Sequence, residues 1–246
     1  MMKPQFAIKP LIEESDYAKV SIEPLEQGYG HTIGNALRRT LLTSIKGAGV
    51  AQVRINGVKH KFSTLEGMKE DVVDFILQLK QMRVKYDGEE AVELNLDVTG
   101  KEEVLASDIE TPSGVEIINK DLVLAHLTGD KARLKATITV DSGYGYKLAE
   151  ERKTSTLGVI PLDTAYSPVR RVKYEVKETR VGGRTDLDNL VMDIWTDGTI
   201  SPSEAITAAA GTLMGYFDQI VNPVVTEEPK EDEESQQESE VMRLTV

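Results

Sequence analysis

Three stretches of the chain repeat apolar residues every three or four positions, which is the spacing of an amphipathic helix. They cover residues from about 32 to 45, from about 69 to 82, and from 201 to 222. The third begins with Ser201-Pro202-Ser203-Glu204, a capping box with proline at the first helical position. The pattern therefore predicts three helices, with the first and third towards opposite ends of the chain.

Other stretches alternate apolar and polar residues, which is typical of strands with one buried face. An Asn56-Gly57 pair between alternating residues predicts a hairpin over about 53–62. Asp141-Ser142-Gly143 and the residues after it, including Arg152, predict a turn and a long loop. Further strands are predicted at 17–25, 92–98, 134–140, 172–176 and 190–196. The middle of the chain is thus predicted to be mostly β.

This order of elements predicts an α+β protein in which one domain is inserted into another. Residues 1–47 and 172–226 contain two of the helices and form one discontinuous domain, while residues 48–171 form the inserted, mostly β domain. Residues 227–246 are predicted to be an acidic flexible linker, because a run of charge buries too little apolar surface to fold.

The first predicted helix has two distinct faces. At about 100° per residue, Leu37 and Leu41 fall on an apolar arc. The polar residues opposite that arc are Asn35, Arg38 and Arg39. Leu42 falls among these three. Interfaces favour an apolar centre with a polar rim and prefer arginine to lysine, so one interpretation is a partner-binding surface. The other is a solvated face with one stray exposed leucine.

The composition excludes several classes of site. The chain has 246 residues, 40% of them hydrophobic, and no cysteine. Disulfides, thiolate zinc sites, iron–sulfur clusters and a cysteine nucleophile are therefore ruled out. The N-terminal segment lacks the apolar core of a secretion signal, and no run of about 18 apolar residues is present. We therefore expect a soluble, cytoplasmic protein without a membrane span.

The net charge of −12 is unevenly distributed along the chain. Residues 226–240 contain eight acidic residues and one lysine, so the remainder carries only −5. A mildly acidic body lacks the basic footprint of a nucleic-acid-binding protein. Little or no direct contact with DNA is expected from this chain.

Features that could indicate cofactor binding or catalysis have simpler explanations. Gly28-x-Gly30 precedes a predicted helix, but the next glycine is Gly34, one position too late for a dinucleotide-binding fingerprint. Its glycines more simply allow close backbone packing. Three aspartates could hold a divalent metal, although turn capping or solvation also accounts for them; they are Asp186, Asp188 and Asp193. The three histidines lack metal-ligand spacing. We expect no catalytic, cofactor-binding or metal-binding residues.

Four separated segments of the sequence match one known family in the same order. They are EPLEQGYGHTIGNALRR, TLEGMKEDVVDFILQLK, AYSPVRRVKYEVKETRVGGRTDLDNL and TDGTISPSEAI. They resemble the alpha subunit of bacterial-type DNA-directed RNA polymerase, in its N-terminal domain, and the likeness spans roughly residues 3–225. The final VMRLTV resembles the first residues of the family's separate C-terminal domain, so the rest of that domain is expected to be missing.

The resemblance implies an assembly role in transcription. In this family two copies dimerise through helices packed on an antiparallel sheet, in a domain interrupted by a mostly β domain. The dimer carries the beta and beta-prime subunits, with omega and sigma in the wider complex. The resemblance thus implies a non-catalytic subunit of a nucleotidyltransferase, with magnesium and zinc held by other subunits. The alternatives are a free-standing homodimeric interaction module and a nucleotide-dependent enzyme.

The resemblance also suggests which residues contact other chains. Arg39 and Leu42 match beta-binding positions of the family, and Lys80 matches a further assembly position. Asn35 and Arg38 are added because they share the polar face of the first helix. Lys80 has a second interpretation, as a cation that complements the dipole at the end of the second helix. The core and dimer interface are expected to include Leu37, Leu41, Leu213, Phe217 and Ile220.

Overall fold

The computed structural model describes residues 5–152 and 156–223. The described residues divide into two compact units, with the boundary between Leu213 and Met214. The segment 227–246, predicted to be an acidic linker, lies outside the described residues.

Within the described residues there are three α-helices and fifteen strands, named in chain order. The helices are α1 (Tyr29–Thr43), α2 (Val72–Leu79) and α3 (Pro202–Val221). The strands are β1 (Ala7–Glu13), β2 (Tyr17–Leu25), β3 (Lys46–Ile55), β4 (Val84–Tyr86), β5 (Val92–Thr99), β6 (Glu103–Leu105), β7 (Ile109–Glu110), β8 (Val115–Ile117), β9 (Val123–His126), β10 (Arg133–Tyr144), β11 (Tyr146–Lys147), β12 (Val159–Pro161), β13 (Thr164–Ala165), β14 (Val169–Val181) and β15 (Arg184–Thr196). Short 3-10 helices cover Ala106–Asp108 and Ala149–Glu151.

A four-stranded antiparallel sheet, in the order β1-β2-β15-β14, brings early and late parts of the chain together. Leu190, Met192 and Ile194 alternate along β15 and are fully buried. They share one apolar cluster with residues of α1 and of the first half of α3. The predicted α+β class, with helices packed on an antiparallel sheet, is confirmed.

A second sheet has a separate apolar core. Its five strands are antiparallel in the order β12-β3-β10-β5-β7. Helix α2 contributes Val72, Phe75 and Leu79 to this second cluster, and all three are fully buried. Three two-stranded pairs complete the region: β4 with β8, β6 with β9, and β11 with β13. The mostly β character predicted for the middle of the chain is confirmed.

The hydrophobic pattern located α1 and α3 within a few residues, but the second helix is shorter than predicted. It ends at Leu79, and Lys80 is its C-cap residue. Met82 is nevertheless buried, because the following turn brings it against the same apolar cluster. Met82 therefore continued the apolar pattern in the sequence, although the helix itself had already ended at Leu79.

The predicted hairpin over 53–62 is wrong in its second strand. Asn56-Gly57 does form a turn, with Gly57 at φ +84°, but residues 58–62 form a loop. Strand β3 already pairs with β10 on one edge and with β12 on the other, so a hairpin partner has no free edge to occupy.

The predicted turn at 141–143 is also wrong, because β10 continues to Tyr144. Asp141 pairs with Gly49 of β3, and Gly143 pairs with Gly47. A Cβ added at Gly143 would lie 2.9 Å from an atom of the Tyr166 ring. Glycine therefore permits close packing here and does not mark a reversal of the chain.

Candidate protein-interaction face

Helix α1 packs very closely against the β14–β15 hairpin because two of its buried residues are glycines. A Cβ at Gly30 would lie 2.7 Å from Val176 Cγ1, and one at Gly34 would lie 2.8 Å from Leu190 Cδ1. Leu37 and Leu41 continue the same buried side and are 6% and 0% exposed. The interpretation of the opening glycines as sites of close backbone packing fits Gly30, whereas a Cβ on Gly28 would meet no atom within 4 Å.

The start of α1 is held by a residue that is distant in sequence. The backbone N–H groups of Gly28 and Gly30 donate to Asp188 Oδ2 at 2.9 and 3.0 Å. Asp188 lies on β15 and is half-buried. Sequence reasoning did not connect Asp188 with α1, since no local pattern links residues 158 to 160 positions apart.

The other side of α1 presents Asn35, Arg38 and Arg39 to solvent. Within residues 5–152 and 156–223, neither guanidinium group has an ion pair or a side-chain hydrogen bond. The predicted polar face is thus present, with two cations that no described residue of this chain neutralises.

The predicted position of Leu42 among the exposed polar residues of α1 needs a correction. It is half-buried and packs against the apolar cluster that contains Leu37 and Leu41. The helical period had placed it among the exposed polar residues of α1. Leu42 is therefore neither a stray exposed leucine nor fully part of the polar face.

Lys80 lies apart from α1, on the C-cap of α2. Its ammonium group is 3.3 Å from Asp163 Oδ2, and the Lys80 side chain is 32% exposed. The N–H of Ala149 and then Lys80 hold the pKa of Asp163 below its usual range. Lys80 also lines an open groove of about 400 Å³, together with residues of β3 and β13. It can therefore act at the helix end and remain accessible to a partner.

The apolar residues expected on the third helix differ in burial. Leu213 is half-buried and packs against the cluster of the four-stranded sheet. Phe217 and Ile220, in the second compact unit, are 61% and 74% exposed. Neither residue is buried, because no other described element of that unit covers them. The expected role in a dimer interface stays a prediction.

A polar network around Arg152 was not anticipated from the sequence, which placed this residue in a loop. Arg152 donates to Asp141 Oδ2 at 2.8 Å, to Thr164 Oγ1 at 2.9 Å and to the Tyr166 hydroxyl at 2.6 Å. The Tyr166 hydroxyl donates to Asp141 Oδ1 at 2.8 Å. Burial and the Asp141 carboxylate raise the pKa of Tyr166. The network ties the chain after β11 to β10 and β13.

The three aspartates considered as metal ligands have partners within the chain. Asp186 accepts hydrogen bonds from Arg184, and Asp193 accepts one from the Tyr17 hydroxyl at 2.7 Å. Asp188 caps α1, as described above. No group of three or more acidic or histidine residues suited to a metal occurs among the described residues. Among the described helices, none is both long and apolar enough to cross a membrane.

Comparison with known proteins identifies relatives over the whole chain. Residues 53–167 match the family model described as the RNA polymerase Rpb3/RpoA insert domain. A relative from Symbiobacterium thermophilum, named DNA-directed RNA polymerase subunit alpha, is 44% identical, and the alignment covers all of this chain and 79% of the relative. A protein of the same name from Herpetosiphon aurantiacus is 46% identical over 201 residues, which cover 82% of this chain and 61% of the relative. The chain therefore belongs to the family of alpha subunits of the multisubunit DNA-directed RNA polymerase.

Proposed function

We propose that this chain is a homodimeric assembly platform that binds the beta and beta-prime subunits of the polymerase in the cytoplasm, with omega and sigma in the wider complex. The observation that carries the proposal is the exposed face of α1, where Arg38 and Arg39 have no partner among the described residues. An exposed helix face next to a buried one is a rigid base for a partner contact.

The beta-binding surface in this proposal consists of Asn35, Arg38 and Arg39, with Leu42 at its margin and Lys80 as a separate contact. Arginine suits such a surface because its planar group binds carboxylates with two hydrogen bonds at once. The half-buried Leu42 supplies an apolar contact next to these cations. Lys80 is already paired with Asp163, so it would contribute to a contact as part of an ion pair.

In this proposal the chain contributes no catalytic group and no cofactor of its own. The aspartates that most resemble metal ligands accept hydrogen bonds from groups within the chain. Nucleotidyl transfer, magnesium and zinc are assigned to other subunits, and direct contact with DNA is little or none. The mildly acidic body of the chain supports this last point.

The proposed domain organisation places an inserted domain at residues 48–171, inside a dimerisation domain formed by 1–47 and 172–226. Two observations support it. The apolar clusters are separate, one spanning residues 18–45 and 169–209 and the other residues 50–162. The matching family model is also described as an insert domain and covers 53–167.

The test compares Arg38→Ala and Arg39→Ala with the control Arg133→Ala, which removes an exposed arginine that is already paired with Asp97. Exposed substitutions usually change stability by no more than about 0.5 kcal/mol, so folding and dimerisation should be unaffected by Arg38→Ala and Arg39→Ala. Removing an arginine from a desolvated ion pair costs about 2–5 kcal/mol, and retention of co-expressed beta should fall at least about 30-fold.

Wild-type retention of beta by both variants would contradict the proposed face. A chain that dimerises but retains neither large subunit would favour a free-standing homodimeric interaction module. Leu42→Asp would not separate binding from folding, because Leu42 packs against the apolar cluster and a charge there would also lower stability.

A further inference from the structure

Helix α1 begins without any cap of its own. Its N-cap residue is Gly28, at φ +86° and ψ −18°, and its first turn contains no acidic residue. Glycine has no side chain that could accept a hydrogen bond from the next turn, and an α-helix leaves its first N–H groups without backbone acceptors. The start of α1 therefore depends on a group from elsewhere in the chain.

Asp188 supplies that group. One carboxylate oxygen accepts both the Gly28 N–H and the Gly30 N–H, at 2.9 and 3.0 Å. These bonds are charge-assisted, and the negative charge lies at the positive end of the helix dipole. Glycine at position 30 leaves room for the carboxylate, because a Cβ there would lie only 3.0 Å from Asp188 Oδ2.

A second contact also joins the residues before α1 to strand β15, but it stabilises the structure less. Arg184, four residues before Asp188, donates to both carboxylate oxygens of Glu26 at 3.0 and 2.8 Å. All these groups are exposed, and exposed ion pairs contribute little to stability. The half-buried Asp188 is therefore the stronger constraint on where α1 begins.

The geometry points to Asp188 as the positioning residue that fixes the start of α1 on the β14–β15 hairpin and so orients Arg38 and Arg39 towards the large subunit. This inference rests on the proposed function. Arg39 is nine residues beyond Gly30, or about 13 Å along the helix axis. A tilt of about 10° at the capped end would move the Arg39 backbone by about 2 Å, whereas binding groups need placement within about 0.5 Å.

The test uses the full chain, alone and co-expressed with beta, in three variants. Asp188→Ala removes the acceptor and the charge, and Asp188→Asn keeps an acceptor but loses the charge. Asp186→Ala is the matched control, because Asp186 is an exposed acid on the same strand that pairs with Arg184. The measurements are amide hydrogen exchange at Gly28 and Gly30 by NMR, and retention of beta.

Asp188→Ala is expected to speed exchange at Gly28 and Gly30 at least about tenfold, since it removes two charge-assisted hydrogen bonds. Beta retention should fall by about tenfold in parallel, while dimerisation is kept. Asp188→Asn should show a smaller change in both measurements, and Asp186→Ala should match wild type. If Asp188→Ala does not fold, Asp188→Asn tests the same role, and both faster exchange at Gly28 and Gly30 and weaker retention of beta are expected of it.

Unchanged exchange at both glycines would overturn the capping role. Faster exchange with wild-type retention of beta, while Arg39→Ala loses beta, would overturn the positioning role and leave the proposed function intact. If Arg38→Ala and Arg39→Ala both retain beta as well, the proposed face itself fails, and the positioning role fails with it.

Discussion

At the scale of single residues, glycine determines how closely α1 lies to the sheet. Gly34 faces Leu190 and Tyr174, and a Cβ there would lie 2.8 Å from atoms of both side chains. In an exposed helix the change from glycine to alanine stabilises by about 1 kcal/mol, whereas overpacking a core costs about 1–3 kcal/mol. The packing term is the larger one at this position.

Gly34→Ala should therefore lower the free energy of unfolding by roughly 1 kcal/mol and Tm by about 2–4 °C. The matched control is Gly211→Ala, because Gly211 lies within helix α3 and a Cβ there would meet no atom within 4 Å. Thermal and urea unfolding of both variants give the measurement. A Gly34→Ala protein as stable as wild type would show that α1 can move away from the hairpin at little cost.

Residue-scale prediction from the sequence succeeded where the signal was local. The positions of Leu37, Arg38 and Arg39 around the helix followed from the helical period alone. The half-buried position of Leu42 did not follow from this period, which placed Leu42 among the polar residues. The Asp188 cap is a long-range contact, so no spacing in the sequence could indicate it.

At the scale of elements, the capping box of α3 is formed as the sequence predicted. The Glu204 N–H donates to Ser201 Oγ at 3.3 Å, and the Ser201 N–H donates to Glu204 Oε2 at 3.1 Å. Ser201→Ala should lower stability by about 1 kcal/mol. Thr207→Ala is the control, because Thr207 is an exposed residue further along α3 whose hydroxyl donates to the Ser203 carbonyl, outside the box. Equal stability of the two variants in urea unfolding would contradict this role.

The capping box also predicts a pH dependence. Hydrogen bonds from Ser201 hold the pKa of Glu204 below its ordinary value of 4.5. A carboxylate with a lowered folded-state pKa stabilises the fold above its unfolded pKa, and this contribution is lost as the pH falls through the folded-state pKa. The stability difference between wild type and Ser201→Ala should therefore narrow below about pH 4.5.

Elements with one buried face were predictable, and elements without one were not. Strands β5 and β10 alternate cleanly because each has a buried side. Every residue of β1 is exposed, so that strand has no apolar period to detect. The absent hairpin strand after Asn56-Gly57 has a different cause, since pairing on both edges of β3 is a property of the whole sheet.

At the scale of the whole molecule, the end of α3 presents an apolar surface. Five large apolar residues of that segment are each more than 60% exposed; they are Met214, Tyr216, Phe217, Ile220 and Val221. Large exposed apolar surfaces usually mark interfaces. The family's dimerisation, which is part of the proposed function, offers a second copy of the chain as the partner.

The resulting prediction is that Ile220→Asp separates the dimer without unfolding the chain. Ile220 is 74% exposed in the single chain, so a charge there remains solvated in the monomer. In a dimer interface the same charge would be desolvated at a cost of several kcal/mol, enough to weaken dimerisation at least about 100-fold. Gln219→Asp is the matched control, because it adds the same charge at an adjacent exposed polar position.

Analytical ultracentrifugation at micromolar concentration measures the dimer, and circular dichroism measures the fold. Obligate homodimers bury about 2,000 Å² or more, so wild type and Gln219→Asp should sediment as dimers and Ile220→Asp as a folded monomer. A wild-type chain that is monomeric at this concentration would contradict the dimer itself. A dimeric Ile220→Asp variant would instead show that the interface lies elsewhere. Because α3 already has a buried side between Pro202 and Ala209, α1 would then be the next helix to test for dimer contacts.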